Sequence, residues 1–161
     1  MRHVLSILVA NNAGVLGRIT GLFSRRGYNI DSLSVGTTED PRYSRITVAT
    51  VGDERVVEQI QKQVAKLVDV LEVIELAPET SIYRELCFVK VEADAGKRPE
   101  IFGIAGVFKA NIIDVTLHTI TVEMTGDFEK IEAFIELMKP YGILKIVRTG
   151  LTGIARGLQE E

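Results

Sequence analysis

The residues best suited to binding chemistry lie between Asn11 and Leu16, where an apolar, strand-like run gives way to an amphipathic helix within a few positions. The first backbone N–H groups of such a helix lack partners and carry partial positive charge, so they favour a carboxylate. The side chains of Asn11 and Asn12 offer oxygens to an ammonium group, and Val15 and Leu16 offer apolar surface. The segment therefore predicts a site for an amino acid. A plain helix cap, with Gly14 permitting the turn, is the alternative.

Composition limits the classes of protein to which the chain belongs. It has 161 residues, is 46% hydrophobic and 25% charged, and carries a formal net charge of −3. An acidic balance argues against nucleic-acid binding, which needs a clustered basic surface. The single Cys87 excludes an internal disulfide, and His3 and His118 form no zinc spacing. With neither a signal peptide nor an apolar run long enough to span a bilayer, we expect a cytoplasmic protein.

Apolar periodicity predicts the same order of elements twice. In the first half a strand over Val4–Ala10 precedes a helix, two further strands follow, Gly52-Asp53 opens a second helix, and Val70–Leu76 closes the unit. We expect the apolar face of the first helix to comprise Val15, Leu16, Ile19, Leu22 and Phe23. This order, β-α-β-β-α-β, is that of the ferredoxin-like fold.

The second half repeats the pattern from a strand at Leu86–Val91 to a strand at Ile143–Val147, with Asp127 placed to cap its second helix. The turn-rich segment from Pro78 to Ser81 is the expected linker. The sequence thus predicts an α+β protein of two ferredoxin-like βαββαβ domains, residues 1–78 and 79–161.

The repeat offers an internal comparison for the candidate site. The counterpart of Asn11 in the second half is Asp94, and the counterpart of Gly14 is Lys97. Because an acidic side chain at this position would repel a ligand carboxylate, we expect a ligand site in the first domain only.

Longer stretches of the chain resemble a known family. The segments ANNAGVLGRITGLFSRRGYNIDSLSVG (10–36), TVGDERVVEQIQKQVAKLVDVLEV (50–73) and TGLTGIARG (149–157), with the strand Ile112-Ile113-Asp114-Val115, resemble the regulatory small subunits of acetolactate synthase, also called acetohydroxyacid synthase. The resemblance covers nearly the whole chain.

The resemblance implies a non-catalytic subunit with an N-terminal ACT domain (1–78) that binds valine or a related branched-chain amino acid between the two copies of a homodimer. It implies that the chain activates a catalytic large subunit and confers feedback inhibition in branched-chain amino-acid biosynthesis. It also implies that this chain holds no cofactor or metal of its own. Thiamine diphosphate, Mg and FAD are expected on the catalytic subunit.

The family's effector site can be carried onto this sequence residue by residue. The strand-to-helix turn of one copy matches at Asn11, Asn12, Gly14, Val15 and Leu16, and the start of the second strand of its mate matches at Asn29 and Ile30. Local sequence alone also permits Asn29 to be a turn residue. The loop from Thr37 to Arg45 and the tail around Arg156 are candidate contacts to the large subunit.

Alternatives from other functional classes remain at this point. A free-standing amino-acid sensor would use the same site without a catalytic partner. An enzyme would need a nucleophile with a paired base or a phosphate loop, and the sequence has neither pattern. An RNA-binding sheet would carry stacking aromatics, whereas the middle strands offer Leu33, Val35, Ile46 and Val48.

Overall fold

The computed structural model describes residues 1–158 and divides the chain into two compact units. The first unit runs from Met1 to Ile82 and also takes in the segment that begins at Gly150, while the second unit is Tyr83–Thr149. The sequence predicts a boundary near residue 79 and assigns everything after it to the second domain. The structure places the segment from Gly150 with the first unit, where the side chain of Leu151 is only 2% exposed.

The first unit is a four-stranded antiparallel sheet with two helices. Its elements are β1 (Arg2–Ala10), α1 (Val15–Arg25), β2 (Ser32–Thr37), β3 (Tyr43–Val51), α2 (Glu54–Ala65) and β4 (Val70–Glu75). The strand order is β2-β3-β1-β4. Alternate residues of β1 and β3 point toward the helices, and with α1 and α2 they bury the core that includes Ile7, Ile19, Val48 and Ile60.

The second unit repeats this arrangement. Its elements are β5 (Ser81–Glu92), α3 (Arg98–Val107), β6 (Asn111–Val115), β7 (Thr119–Gly126), α4 (Phe128–Met138) and β8 (Ile143–Arg148). The strand order is β6-β7-β5-β8. A short strand β9 (Thr152–Ala155), in the segment that belongs to the first unit, pairs with β5, whose first residues Ser81 and Ile82 also belong to that unit. The sequence did not predict β9, which has only four residues with Gly153 among them.

Both units have the predicted βαββαβ order, and each sheet places its first and third strands at the centre, so the two ferredoxin-like domains are confirmed. Two of the predicted helix starts are confirmed in detail. Asp53 accepts a hydrogen bond from the Val56 N–H at 2.9 Å, and Asp127 accepts one from the Lys130 N–H at 2.9 Å. Within residues 1–158, none of the helices has the length and apolar character needed to cross a membrane.

Candidate functional site

The turn between β1 and α1 is built on the backbone of Gly14. Gly14 precedes the helix with φ +85°, in the left-handed region that favours glycine, and no side chain caps α1. The asparagine side chains therefore do not cap this helix, while Gly14 permits the turn as the plain-cap interpretation expects.

The start of α1 has free backbone donors. The N–H of Val15 donates to the Asn12 carbonyl over a long 3.4 Å, and the N–H of Arg18 donates to the Gly14 carbonyl at 3.0 Å. Between them, the N–H groups of Leu16 and Gly17 bond to no residue within 1–158. Free donors at the positive end of a helix form a surface suited to a carboxylate.

Asn11 is held by the loop between β2 and β3. Its backbone N–H donates to the Arg42 carbonyl at 2.7 Å, and its Nδ2 donates to the Pro41 carbonyl at 3.0 Å. Because the amide nitrogen is engaged, the amide oxygen is left to accept a hydrogen bond from a ligand such as an ammonium. The loop is itself braced, since Arg42 bonds Asp40 and holds the pKa of that carboxyl below its ordinary value.

The apolar part of the turn differs from the expectation that Val15 and Leu16 lie on one buried face. Val15 is 3% exposed and belongs to the core, whereas Leu16 is 40% exposed. Leu16 is thus the side chain that offers apolar surface beside the free N–H groups, and Val15 can contribute only through its backbone. Asn12 is exposed, with its carbonyl directed to Val15.

Arg18 adds a positive charge beside the turn that the sequence analysis did not single out. Its Nε and Nη2 donate to Asp69 Oδ2 at 2.9 and 2.5 Å, which fixes the guanidinium. Its Nη1 lies 3.2 Å from the position that a Cβ at Gly14 would occupy. The Asp69 carbonyl also accepts from the Ala10 N–H at 2.8 Å, so one loop holds both the end of β1 and this charge.

Asn29 and Ile30 lie just before β2, at the other end of the sheet. The Thr50 hydroxyl donates to the Asn29 carbonyl at 2.6 Å, and the Asn29 side chain donates to Asp31 at 2.9 Å. Ala10, beside Asn11, pairs with Tyr43 at the start of β3, whereas Thr50 is near its end. That stretch of strand spans roughly 20 Å. The structure therefore does not bring Asn11 and Asn29 of one chain together.

In the second unit, the corresponding turn before α3 is bonded by a side chain of the turn itself, Asp94. Asp94 Oδ1 accepts hydrogen bonds from the N–H groups of Gly96 and Lys97, each at 3.2 Å. A carboxylate of the protein thus bonds the backbone of this turn, and Pro99, the counterpart of Leu16, has no N–H to offer a ligand. This difference favours a ligand site in the first unit.

His3 and Cys87 are two reactive side chains that lie outside the turn. His3 is buried and its Nδ1 lies 2.6 Å from a carboxylate oxygen of Glu75. Cys87 is buried, and burial raises the pKa of its thiol. No group of three or more His, Cys, Asp or Glu side chains in the described part of the chain is arranged to hold a metal ion.

Comparison with known families covers both units. Residues 5–72 match the family model of the AHAS small subunit-like ACT domain, and residues 84–157 match the model of the small subunit of acetolactate synthase. The first match lies within the first unit, and the second covers most of the second unit together with residues 150–157, which the structure places with the first unit.

Individual relatives and a solved structure agree with these matches. The chain is 48% identical over 162 residues to the acetolactate synthase small subunit of Bacillus subtilis, covering 100% of this chain and 94% of the relative. It is 47% identical over 157 residues to the probable acetolactate synthase small subunit of Archaeoglobus fulgidus, covering 98% of each. The crystal structure of the acetolactate synthase small subunit from Thermotoga maritima superposes with a TM-score of 0.90 at 38% identity, covering 99% of both chains. The chain belongs to the family of acetolactate synthase small subunits, with an ACT domain in its first half.

Proposed function

We propose that this chain is a regulatory subunit that binds valine, or a related branched-chain amino acid, and controls a separate catalytic subunit of acetolactate synthase. The names of its relatives support a small subunit that works with a larger partner. In this proposal the chain activates the partner and transmits feedback inhibition when the effector binds.

The effector would bind at the turn before α1. The free N–H groups of Leu16 and Gly17, beside the turn built on Gly14, take its carboxylate, and the Asn11 amide oxygen takes its ammonium group. Arg18 adds positive charge on the carboxylate side, and the exposed Leu16 contacts the aliphatic side chain of the effector.

The observation that carries the proposal is the position of Asn29 and Ile30 at the far end of the sheet from Asn11. Strand β2 pairs with β3 on one side and with no other strand of residues 1–158. If two copies pair antiparallel through this edge about a two-fold axis, the start of one β2 lies beside the end of the other. That arrangement directs Asn29 and Ile30 of one copy toward the β1–α1 turn of its mate.

Regulation then follows from linkage between two binding equilibria. Valine shifts the dimer toward a geometry that changes how it supports the catalytic subunit. The size of this shift is limited by the difference between the affinities of valine for the two dimer geometries, about 1–3 kcal/mol for such coupling. The thiamine diphosphate, Mg and FAD of the reaction would bind the catalytic subunit. The β2–β3 loop and the tail around Arg156 remain the proposed contacts to that subunit.

A mixing experiment tests the shared site directly. Asn11→Ala and Asn29→Ala each remove one half of it, so each variant alone should lose saturable valine binding in isothermal titration. After equilibration of the two variants at equal amounts, about a quarter of the sites should be intact, because random pairing restores one whole site in each mixed dimer.

Lysine, whose charged end cannot enter an aliphatic pocket, is the control ligand. Restored binding in the mixture supports a site shared between copies. Loss of binding in both variants without restoration would place the whole site in one chain, and absence of valine binding to the unmodified protein would refute the effector site. A free-standing sensor would bind valine in the same way but would not alter the activity of an added catalytic subunit.

A further inference from the structure

The segment after β8 lies on the face of the first sheet opposite its helices, where it contacts β2. The Ser34 hydroxyl donates to the Leu151 carbonyl at 3.0 Å, and the Leu151 N–H donates to the Ser32 hydroxyl at 3.3 Å. Leu151 itself is 2% exposed. A single residue is therefore bonded through both backbone groups to two serines of one strand.

Gly150 allows this close approach. Its φ is +85°, and a Cβ at this position would lie 3.1 Å from the Ser32 Cβ and 3.3 Å from the Leu33 backbone. Further along, the Arg156 N–H donates to the Thr80 carbonyl at 2.8 Å. Residues 150–156 thus form a strap fixed to the first unit at both ends, which we name the C-terminal latch.

The strand held by the latch is the one that begins at the proposed effector site. Ser32 and Ser34 face the latch, while Leu33, between them, packs against the core on the other side. Asn29 and Ile30 directly precede this strand, and Ile30 also packs against the core. A shift of β2 that breaks the serine bonds therefore also moves the backbone that carries Asn29 and Ile30.

We propose that the C-terminal latch is coupled to the effector site: Ser32 and Ser34 are positioning residues that hold Asn29 and Ile30 for the amino acid, and the bound amino acid in turn tightens the latch. This inference rests on the proposed effector site. The latch also links the effector site to the second unit through the chain itself, because only Thr149 separates Gly150 from the end of β8.

Thermodynamic linkage makes the proposal quantitative. If closing the latch raises the affinity for valine by some factor, valine must favour the closed latch by the same factor. Each hydroxyl-to-backbone hydrogen bond contributes little net free energy, so the latch can open locally without unfolding of the whole domain, and hydrogen exchange can measure that opening. The opening is reported by the Leu151 N–H, whose exchange with solvent requires that its bond to Ser32 break.

The test combines hydrogen exchange and titration on the full chain. In the unmodified protein, saturating valine should slow exchange of the peptide that contains Leu151 about 5-fold or more, the lower range of measured couplings. The Ser32→Ala/Ser34→Ala variant should bind valine more weakly by a similar factor, and valine should no longer slow exchange of that peptide.

Thr121→Ala is the matched control, because it removes from β7 of the second unit a hydroxyl that bonds to no residue within 1–158. It should bind valine as the unmodified protein does. Gly150→Ala is a second variant that loosens the latch by a different route, through its left-handed backbone and the contact with Ser32.

The outcomes separate the latch from the effector site. Valine binding to the unmodified protein, with unchanged Leu151 exchange and unchanged affinity in the serine variant, would refute the latch and leave the effector site standing. No valine binding to the unmodified protein would refute both. If the serine variant does not fold, the exchange measurement on the unmodified protein still decides. Slowing at the Leu151 peptide that exceeds the slowing of β7 peptides supports the latch, and equal slowing of both, which is overall stabilisation by a bound ligand, refutes it.

Discussion

At the scale of single residues, Gly14 sets the geometry of the β1–α1 turn. We expect Gly14→Ala to lower the free energy of unfolding by about 1–2 kcal/mol, because an L side chain is strained at this left-handed φ. Gly14→Asp should in addition abolish valine binding, since its carboxylate would compete for Arg18 and the free N–H groups. Urea unfolding and isothermal titration measure the two effects.

Gly103→Ala is a suitable control for Gly14→Ala. Gly103 lies within α3, and a Cβ there would meet no atom within 4 Å. Alanine favours a helix over glycine by about 1 kcal/mol, so this variant should be as stable as the unmodified protein or more so. Equal destabilisation by both substitutions would contradict the role assigned to the backbone of Gly14.

Cys87 should be unreactive in the folded protein. Burial raises the pKa of its thiol, so less thiolate is present at a given pH, and solvent access is low as well. We expect alkylation by iodoacetamide at pH 8 to be about a hundredfold slower in the native protein than in urea. Mass spectrometry follows the modification, and rapid labelling of the native chain would show that β5 is open at this position.

At the scale of elements, an ion pair ties the end of β8 to β5. Arg148 donates from Nε and Nη2 to the two carboxylate oxygens of Glu85 at 2.6 and 3.0 Å, and Glu85 is 4% exposed. These bonds are the main reason that the pKa of Arg148 is raised. Arg148→Met would leave a buried carboxylate without its partner and should cost about 3 kcal/mol of unfolding free energy.

The double variant Glu85→Gln/Arg148→Met distinguishes an unpaired charge from lost packing. It should recover most of the stability lost in Arg148→Met, because no buried charge remains. Urea unfolding of the single and double variants provides the comparison. If the double variant is no more stable than Arg148→Met, packing of the arginine side chain rather than charge pairing holds β8.

Element order and several helix ends could be read from the chain itself. The 3.6-residue spacing of α2 and the capping positions of Asp53 and Asp127 are local features, so the sequence alone predicts them. The short strand β9 could not be predicted, because its pairing with β5 depends on contacts distant in sequence. The burial of Val15 and the exposure of Leu16 also required the packed helix, because both positions fit one apolar stripe and only packing shows which of them faces the core.

At the scale of the whole molecule, the proposed function requires association through the edge strand β2. Val35 lies in this strand and is 48% exposed. Val35→Lys would place like charges near each other across a two-fold axis, so we expect the dimer to dissociate about tenfold more readily. Sedimentation at several protein concentrations measures this, and valine binding should weaken in parallel.

Val51→Lys is the matched control, because Val51 is 54% exposed at the end of β3 and does not belong to β2. It should leave the association unchanged. If Val35→Lys also leaves it unchanged, the two copies do not meet at this edge.

The sequence by itself determined the two repeated domains, the family and the turn at Asn11–Leu16, because these depend on local periodicity and on residues close together in the chain. The tertiary structure alone decided what holds Asn11, the distance of Asn29 from it, and the return of Leu151 to the first sheet. Each of these joins residues tens of positions apart, and only the packed sheet fixes which of them become neighbours.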